Sequence, residues 1–279
     1  MQPRKLLVFD LETVPDLDLA RKLWEDVPAD DTAARDHVLN VFRERNGGRS
    51  DFPSPAFHKI VAIGCLLADI EPMEGGRAES YHFKKLGCIG KDGDTEADLV
   101  RQWYDYAAQQ AGHGVPLRLV SFNGRGFDLP VLKLRALKHG VNAAWLFQSG
   151  DKWSNYGSRF DNTWHADLAD VLADYGAARG GMKLDEVCTL IGLPGKLDIE
   201  GSKVADMVAE GRLNDVRDYC ETDILNTYLL YLRWQRLSGI LSPEALTKEE
   251  DALREFLARE GKGAKHLKSF AEAWPQPEA

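Results

Sequence analysis

The chain has 279 residues, 44% of them hydrophobic and 28% charged, with a formal net charge of −9. That length and balance describe a globular protein able to bury a sizeable core, with no repeat or low-complexity segment. The negative charge weighs against coating nucleic acid through bulk electrostatics, because such proteins are usually basic. It leaves room for an acidic pocket that grips a few phosphates through bound cations.

The first element is the run Leu6-Leu7-Val8-Phe9-Asp10-Leu11-Glu12-Thr13. Four successive apolar residues predict a strand buried on both faces. Side chains alternate along a strand, so Leu6, Val8, Asp10 and Glu12 share one face while Leu7, Phe9 and Leu11 take the other. Two like charges side by side at the end of a buried strand are costly unless a cation sits between them, and a hard divalent ion takes oxygen ligands of this kind. An isolated Asp-x-Glu has a plainer reading too, as a strand ending in solvent. Residues 14 to 58 predict two short surface helices and then a loop broken by Asn46-Gly47-Gly48 and Pro53-Ser54-Pro55. Strands follow at Ile60–Leu67 and near Ser80–Phe83, joined by a turn at Glu74-Gly75-Gly76. A helix over Asp94–Ala111 opens on a capping box, Thr95-x-x-Asp98.

A fourth strand, Leu117–Phe122, leads through Asn123-Gly124-Arg125-Gly126 into a helix starting near Phe127-Asp128-Leu129-Pro130. Asp128 has a competing role there, since capping and the helix dipole both favour an acid at a helix start. The pattern is lost from Leu146 to Trp164. Trp153, Tyr156 and Phe160 in that stretch suit base stacking or, as is commoner for loop aromatics, packing on the core. After His165 the chain reads as helical to about Leu257, with His165-x-Asp167 as a polar pair capping a helix and Pro275-Gln276-Pro277 as a frayed tail. The helix Asn214–Leu237 carries an apolar stripe of Val216, Cys220, Thr227, Leu230, Tyr231, Trp234 and Leu237. Asp223 falls on that stripe, one turn after Tyr219, so the phenol and the carboxylate project to nearly the same place. Asp218 and Glu221 lie off it and read as solvated. So do Lys262, Lys265, His266 and Lys268 near the C-terminus.

No apolar run reaches membrane-spanning length, and the N-terminus enters a strand without the zones of a signal peptide; a cytoplasmic protein with no membrane partner is expected. Cys65, Cys88, Cys188 and Cys220 form no C-x-x-C pair, which argues against a disulfide scaffold, a zinc site or a redox motif.

Taken together, Asp10-Leu-Glu12-Thr, Asn123-Gly-Arg-Gly-Phe127-Asp128 and Tyr219-Cys-Glu-Thr-Asp223 resemble the three motifs of the DEDD 3′–5′ exonucleases in their tyrosine-bearing subtype. The likeness is strongest to the free-standing exonucleases related to the proofreading domain of family B DNA polymerases, and it spans about Leu6 to Arg233. It implies an α/β chain with a ribonuclease H-like fold, a mixed central sheet flanked by helices. The domain would cover residues 1–237, with a helical insertion at about 15–57, and a helical C-terminal extension would cover 238–279. It also implies two divalent ions, Mg²⁺ or Mn²⁺, held by Asp10, Glu12, Asp128 and Asp223. Tyr219 would orient the attacking water, Asn123 would lie near the substrate and Phe127 would wall the site. Lys196 and Ser202 are weaker candidates. The chemistry agrees: phosphodiester hydrolysis needs a nucleophile made from water and charge held on two oxygens, which two cations roughly 4 Å apart supply. The expected partner is the 3′ end of single-stranded DNA or RNA. A nucleic-acid-binding module that has lost hydrolysis and a metal-free glycosidase using Asp10 and Glu12 are the rival readings.

Overall fold

A computed structural model describes residues 4–73, 77–112, 115–178, 181–197 and 201–275. The expected turn at Glu74-Gly75-Gly76, the tail beyond Pro275 and the Ser202 side chain lie outside what it describes. In chain order the elements are β1 (Lys5–Pro15), α1 (Leu17–Leu23), α2 (Asp31–Arg45), β2 (His58–Pro72), β3 (Glu79–Cys88), α3 (Glu96–Ala111), β4 (Leu117–Ser121), α4 (Asp128–His139), α5 (Ala144–Gln148), β5 (His165–Asp167), α6 (Leu168–Leu172), α7 (Leu184–Leu190), α8 (Val204–Ala209), α9 (Leu213–Leu237), α10 (Pro243–Glu260) and α11 (Lys265–Ala273).

The five strands form one sheet in the order β3-β2-β1-β4-β5. β2 is antiparallel to both β1 and β3, whereas β4 is parallel to β1 and β5 is parallel to β4. This is the mixed sheet flanked by helices that a ribonuclease H-like fold implies. The alternation read from β1 holds. Leu6 and Val8 enter the core beneath α9, and Leu7, Phe9 and Leu11 enter the one beneath α3 and α4. Each face of a central strand is thereby dried by helices, which is why the strand tolerates its run of large apolar side chains.

The helices begin and end where their caps dictate. α3 has the expected capping box at Thr95 and Asp98, and α1 and α2 start on Asp16 and Asp30, whose carboxylates accept from Leu19 and Ala33 N–H. The two helices of the insertion close on a small core of their own, Ala20, Val38, Phe42 and Phe57. α10 and α11 do not stand apart from the sheet: Leu253, Leu257, Leu267 and Phe270 share one core with Leu6 and Val8.

Three expectations need correcting. His165 and Asp167 form a fifth strand and not only a helix cap; three residues are too few to show a period. Leu237, taken as part of the α9 stripe, is 79% exposed at the helix end. Asp218 and Glu221 are not simply solvated, since His266 of α11 reaches Asp218 at 3.2 Å and Glu221 at 2.8 Å.

Candidate active site

β1 outruns its parallel neighbour. Its pairing with β4 ends at Val8 and Val120, while its pairing with β2 continues to Pro15. From Phe9 onward the β4 side of the strand is therefore open, and its N–H groups there need other partners. The N-terminus of α4 fills the gap: Asp128 Oδ1 accepts from Leu11 N–H at 2.9 Å. Asp128 thus joins the start of α4 to the strand carrying Asp10 and Glu12. The capping role expected for it is absent, because Phe127 holds the cap position and makes no side-chain cap bond.

The opposite flank is closed by α9. Asp10 is paired in register with Gly64, and Gly64 with Cys88. A Cβ on Gly64 would lie 2.7 Å from Cys220 Sγ and 2.9 Å from Ile224 Cγ1. The missing side chain is what lets α9 lie close against the sheet here. Cys220 Sγ consequently approaches the Asp10 carbonyl oxygen at 3.7 Å and Oδ2 at 4.0 Å. One turn after Tyr219 on the same helix comes Asp223, and the phenol acts to lower the Asp223 carboxyl.

Among the described residues, Asp10, Glu12 and Cys220 form a group whose ligand atoms all lie within 4.8 Å of one another. Asp128 and Asp223 do not join that group, but their charges reach it. The Asp10 carboxyl is held well above its ordinary value by burial, then by the charges of Asp128 and Asp223. Glu12 is raised in the same way, by burial and then by Asp10, Asp223 and Asp128. Burial pushes Asp128 up to about 7 against the opposing bond from Leu11 N–H. It pushes Asp223 up to about 6, against Tyr219 and Lys196. The Tyr219 phenol is itself driven upward by burial and by the neighbouring carboxylates. Lys196 is a cation that acts on Asp10, Glu12 and Asp223 together. Its Nζ lies 5.8 Å from the centre of the Tyr219 ring. None of the four carboxylates has an ion-pair partner among the described residues.

These observations fit divalent cations. Four carboxyl groups are gathered in a desolvated space with too little positive charge, and each is raised chiefly by that burial. Oxygen donors suit a hard ion such as Mg²⁺ or Mn²⁺. The Cys220 thiol is pushed upward by its contact with Cys88, by burial and by the adjacent acids, and a soft sulfur donor is not the kind a hard ion selects.

The second motif loop is shaped by residues that the sequence left in the background. Asn123 has φ 65°, a left-handed conformation that Asn tolerates better than most side chains. Its N–H and that of Arg125 both donate to Asp167, at 2.7 and 2.8 Å. Asp167 also caps α6 through Ala169 N–H. The Asn123 side chain is exposed, whereas Phe127 packs its ring on His58 at 4.7 Å and Phe52 at 5.2 Å, on the loop that closes the insertion. Asn226 holds the Gly195 turn beside Lys196 from both sides, accepting from Gly195 N–H at 3.2 Å and donating to its carbonyl at 2.8 Å. The roles of Gly64 and Asn226 exist only once α9 lies on the sheet.

The chain is a member of the family described as predicted 3′–5′ exonucleases related to the exonuclease domain of PolB, which matches residues 50–274. That description is of an enzyme, a 3′–5′ exonuclease. The match begins after Asp10 and Glu12 and runs through α10 and α11, beyond the Arg233 at which the resemblance was drawn. Among solved structures, the chain is similar to the family B DNA polymerase of the hyperthermophilic archaeon Pyrobaculum calidifontis. The identity is 16% and the TM-score 0.46, over 96% of this chain and 27% of that one. It is also similar to an ExoI/SSB-Ct complex, with 14% identity and a TM-score of 0.33, over 86% of this chain and 46% of that one. The chain thus spans less than half the length of either. No curated protein matches it. No described helix is long and apolar enough to cross a membrane.

Proposed function

We propose that the chain is a metal-dependent 3′–5′ exonuclease of the tyrosine-bearing subtype that removes nucleoside monophosphates from single-stranded ends, with DNA the favoured substrate. The observation that carries this reading is the set of buried and half-buried carboxylates at the open end of β1, none of them ion-paired among the described residues. Asp10, Glu12, Asp128 and Asp223 would hold two divalent ions. When bound, such ions make a nucleophile of water at neutral pH and hold charge on the attacking and leaving oxygens.

The chain's own residues then set geometry. Tyr219 keeps its proton, since burial and the adjacent acids drive its ionisation far above neutral pH. It therefore orients the attacking water and does not deprotonate it. Asp128, fixed by Leu11 N–H, keeps the start of α4 against β1, so that the second motif loop and the acid pair move as one body. Asn123, exposed on that loop, faces the incoming strand, and Lys196 offers its charge beside Tyr219.

The test uses single strands of DNA and RNA labelled at either end, with Mg²⁺, Mn²⁺ or EDTA. Release of the 3′ label first, as mononucleotide, and its abolition by EDTA are expected. Equal release in EDTA, or early loss of the 5′ label, overturns the proposal.

A further inference from the structure

Beside the second motif loop a trench runs away from the acidic centre. Its first part, about 630 Å³, is lined by Asn123, Gly126 and Asp167, and its second part, about 430 Å³, by Phe147 and Lys152. The two adjoin, sharing Lys133, Tyr156 and Gly157. The near end is lined by Gly126 and Leu129, which bracket Phe127-Asp128 of the second motif.

The polar groups of this face divide into those already engaged and those left over. Arg125 donates to the carbonyls of Tyr156, Ser158 and His165 at 3.4, 3.1 and 2.8 Å, which makes it framework. Arg159 is paired with Asp170 at 2.7 Å. Asp167 is taken up by N–H groups of the motif loop, and Asp151 accepts from Trp153 and Ser154 N–H at 2.7 and 2.9 Å. Lys133 and Lys152 have no carboxylate partner among the described residues. Lys133 is half-buried, and burial with the nearby Arg125 holds its ammonium below the ordinary lysine value. An anion beside it would relieve that penalty.

Each of these free cations lies by an aromatic ring that nothing covers. Lys133 Nζ is 5.7 Å from the ring of Phe147 and Lys152 Nζ is 4.8 Å from that of Trp153. Phe147 is 67% exposed and Trp153 78%, whereas Tyr156 between them is buried, its hydroxyl bonded to the Leu117 backbone. The loop aromatics therefore split: Tyr156 packs on the core as commonly happens, and Trp153 does not. Both rings present faces on which bases can stack. Trp153 lies with Lys152 on an adjoining depression of about 610 Å³ that shares Lys152, Asn155 and Gly157 with the second part of the trench; a cation beside a ring, repeated along this path, matches the alternation of phosphate and base in an unpaired strand.

We infer that this trench is the path of the single strand upstream of the cleaved nucleotide, with phosphates at Lys133 and Lys152 and bases stacked on Phe147 and Trp153. The inference rests on the exonuclease reading of the acidic centre. It goes beyond that reading by assigning the body of the substrate to residues far from the chemistry.

The experiment measures binding of fluorescent DNA and RNA strands of about twelve and about three nucleotides to the full chain in EDTA, by anisotropy. Stacking and phosphate contacts of this kind are worth roughly tenfold or more each in affinity. Lys152→Gln/Trp153→Ala, at exposed positions that leave the core intact, should weaken the long strand at least tenfold. It should also flatten the salt dependence and remove most of the advantage of long over short. Lys133→Gln should act in the same direction, and Lys262→Gln/Lys265→Gln near the C-terminus should leave that advantage in place. Long-strand affinity within twofold of wild type in Lys152→Gln/Trp153→Ala, for DNA and RNA alike, overturns the inference and assigns the face to another partner. Failure of the exonuclease reading shows separately, as no 3′ release by wild type with Mn²⁺ while the length-dependent binding remains.

Discussion

Two groups of buried acids lie within a few residues of each other along β1 and α4, and they are built in opposite ways. Asp16, just beyond β1, and Glu96, at the start of α3, converge on Arg135 of α4. Arg135 meets Asp16 at 2.6 Å and also pairs with Glu96, while Lys138 adds a contact to Asp16 at 3.0 Å and His139 one to Glu96 at 2.8 Å. Burial alone would raise Asp16, but hydrogen bonds from Arg135 and Lys138 outweigh it and hold the group at about 2. Glu96 is likewise brought below its ordinary value in spite of burial, by Arg135, His139 and Ile60 N–H. Asp10, Glu12, Asp128 and Asp223 are desolvated too but make no ion pair among the described residues, the charge of Lys196 does not offset the burial, and all four are raised. The same chain satisfies one set of carboxylates from within and leaves the other without an ion pair, which is where the proposed cations would sit. That contrast separates a structural charge cluster from a functional one more clearly than burial does.

The sharpest way to break the comparison is to neutralise one member of each group. Asp10→Asn should abolish exonuclease activity while leaving the metal-free melting temperature equal to wild type or higher, because it removes repulsion in a desolvated cluster. Arg135→Met should do the reverse to the fold. It strands Asp16 and Glu96 without their main cation and should cost about 3–5 kcal/mol in denaturant unfolding. Equal destabilisation by both changes would erase the distinction.

Smaller effects sharpen it. Tyr219→Phe keeps the ring on the core of Val204, Met207 and Val216 but removes the hydroxyl, and should lower single-turnover cleavage by about 10²-fold. The Mn²⁺ concentration dependence should stay near that of wild type; full activity would reduce the tyrosine to packing. The pH dependence is subtler. A carboxyl raised in the folded state binds its proton more tightly than in the unfolded chain, so its stabilising share is complete below about 4. It is lost as pH climbs towards about 6 for Asp223 and about 7 for Asp128. Metal-free stability should therefore decline over that window, and Asp128→Asn, which can still accept from Leu11 N–H, should flatten the decline when melting is followed against pH.

The parts of the fold legible in the sequence are those written in a local period or a local bond. The two-residue alternation of β1 divided Leu6 and Val8 from Leu7 and Phe9, Thr95 and Asp98 announced the start of α3, and the helical period placed Tyr219 and Asp223 on one side of α9. β5 was hidden because three residues carry no period. The Asp218–His266–Glu221 contact spans more than forty residues, and no spacing rule reaches that far. At the site, the acids could be named in advance but not their environment. Gly64 admits Cys220 only because β2 and α9 meet there, and Asp128 trades a helix cap for a strand N–H only because β4 stops short of β1's end. Trp153 and Tyr156, three residues apart in an irregular stretch, look alike as sequence. They are told apart by whether the Leu117 backbone offers a partner.

The central claim is that the unpaired carboxylates at the end of β1 are a cation site, and Mn²⁺ stabilisation of the fold tests it most directly. Thermal melting of wild type and Asp10→Asn would be followed against Mn²⁺ concentration at pH above 7, where the acids are ionised in the unfolded chain and their repulsion in the fold is greatest. Wild type should rise steadily with Mn²⁺, as expected for a ligand bound by the native state alone, and Asp10→Asn should rise far less from an equal or higher starting point. The same rise in both proteins would place the bound cation elsewhere and contradict the account.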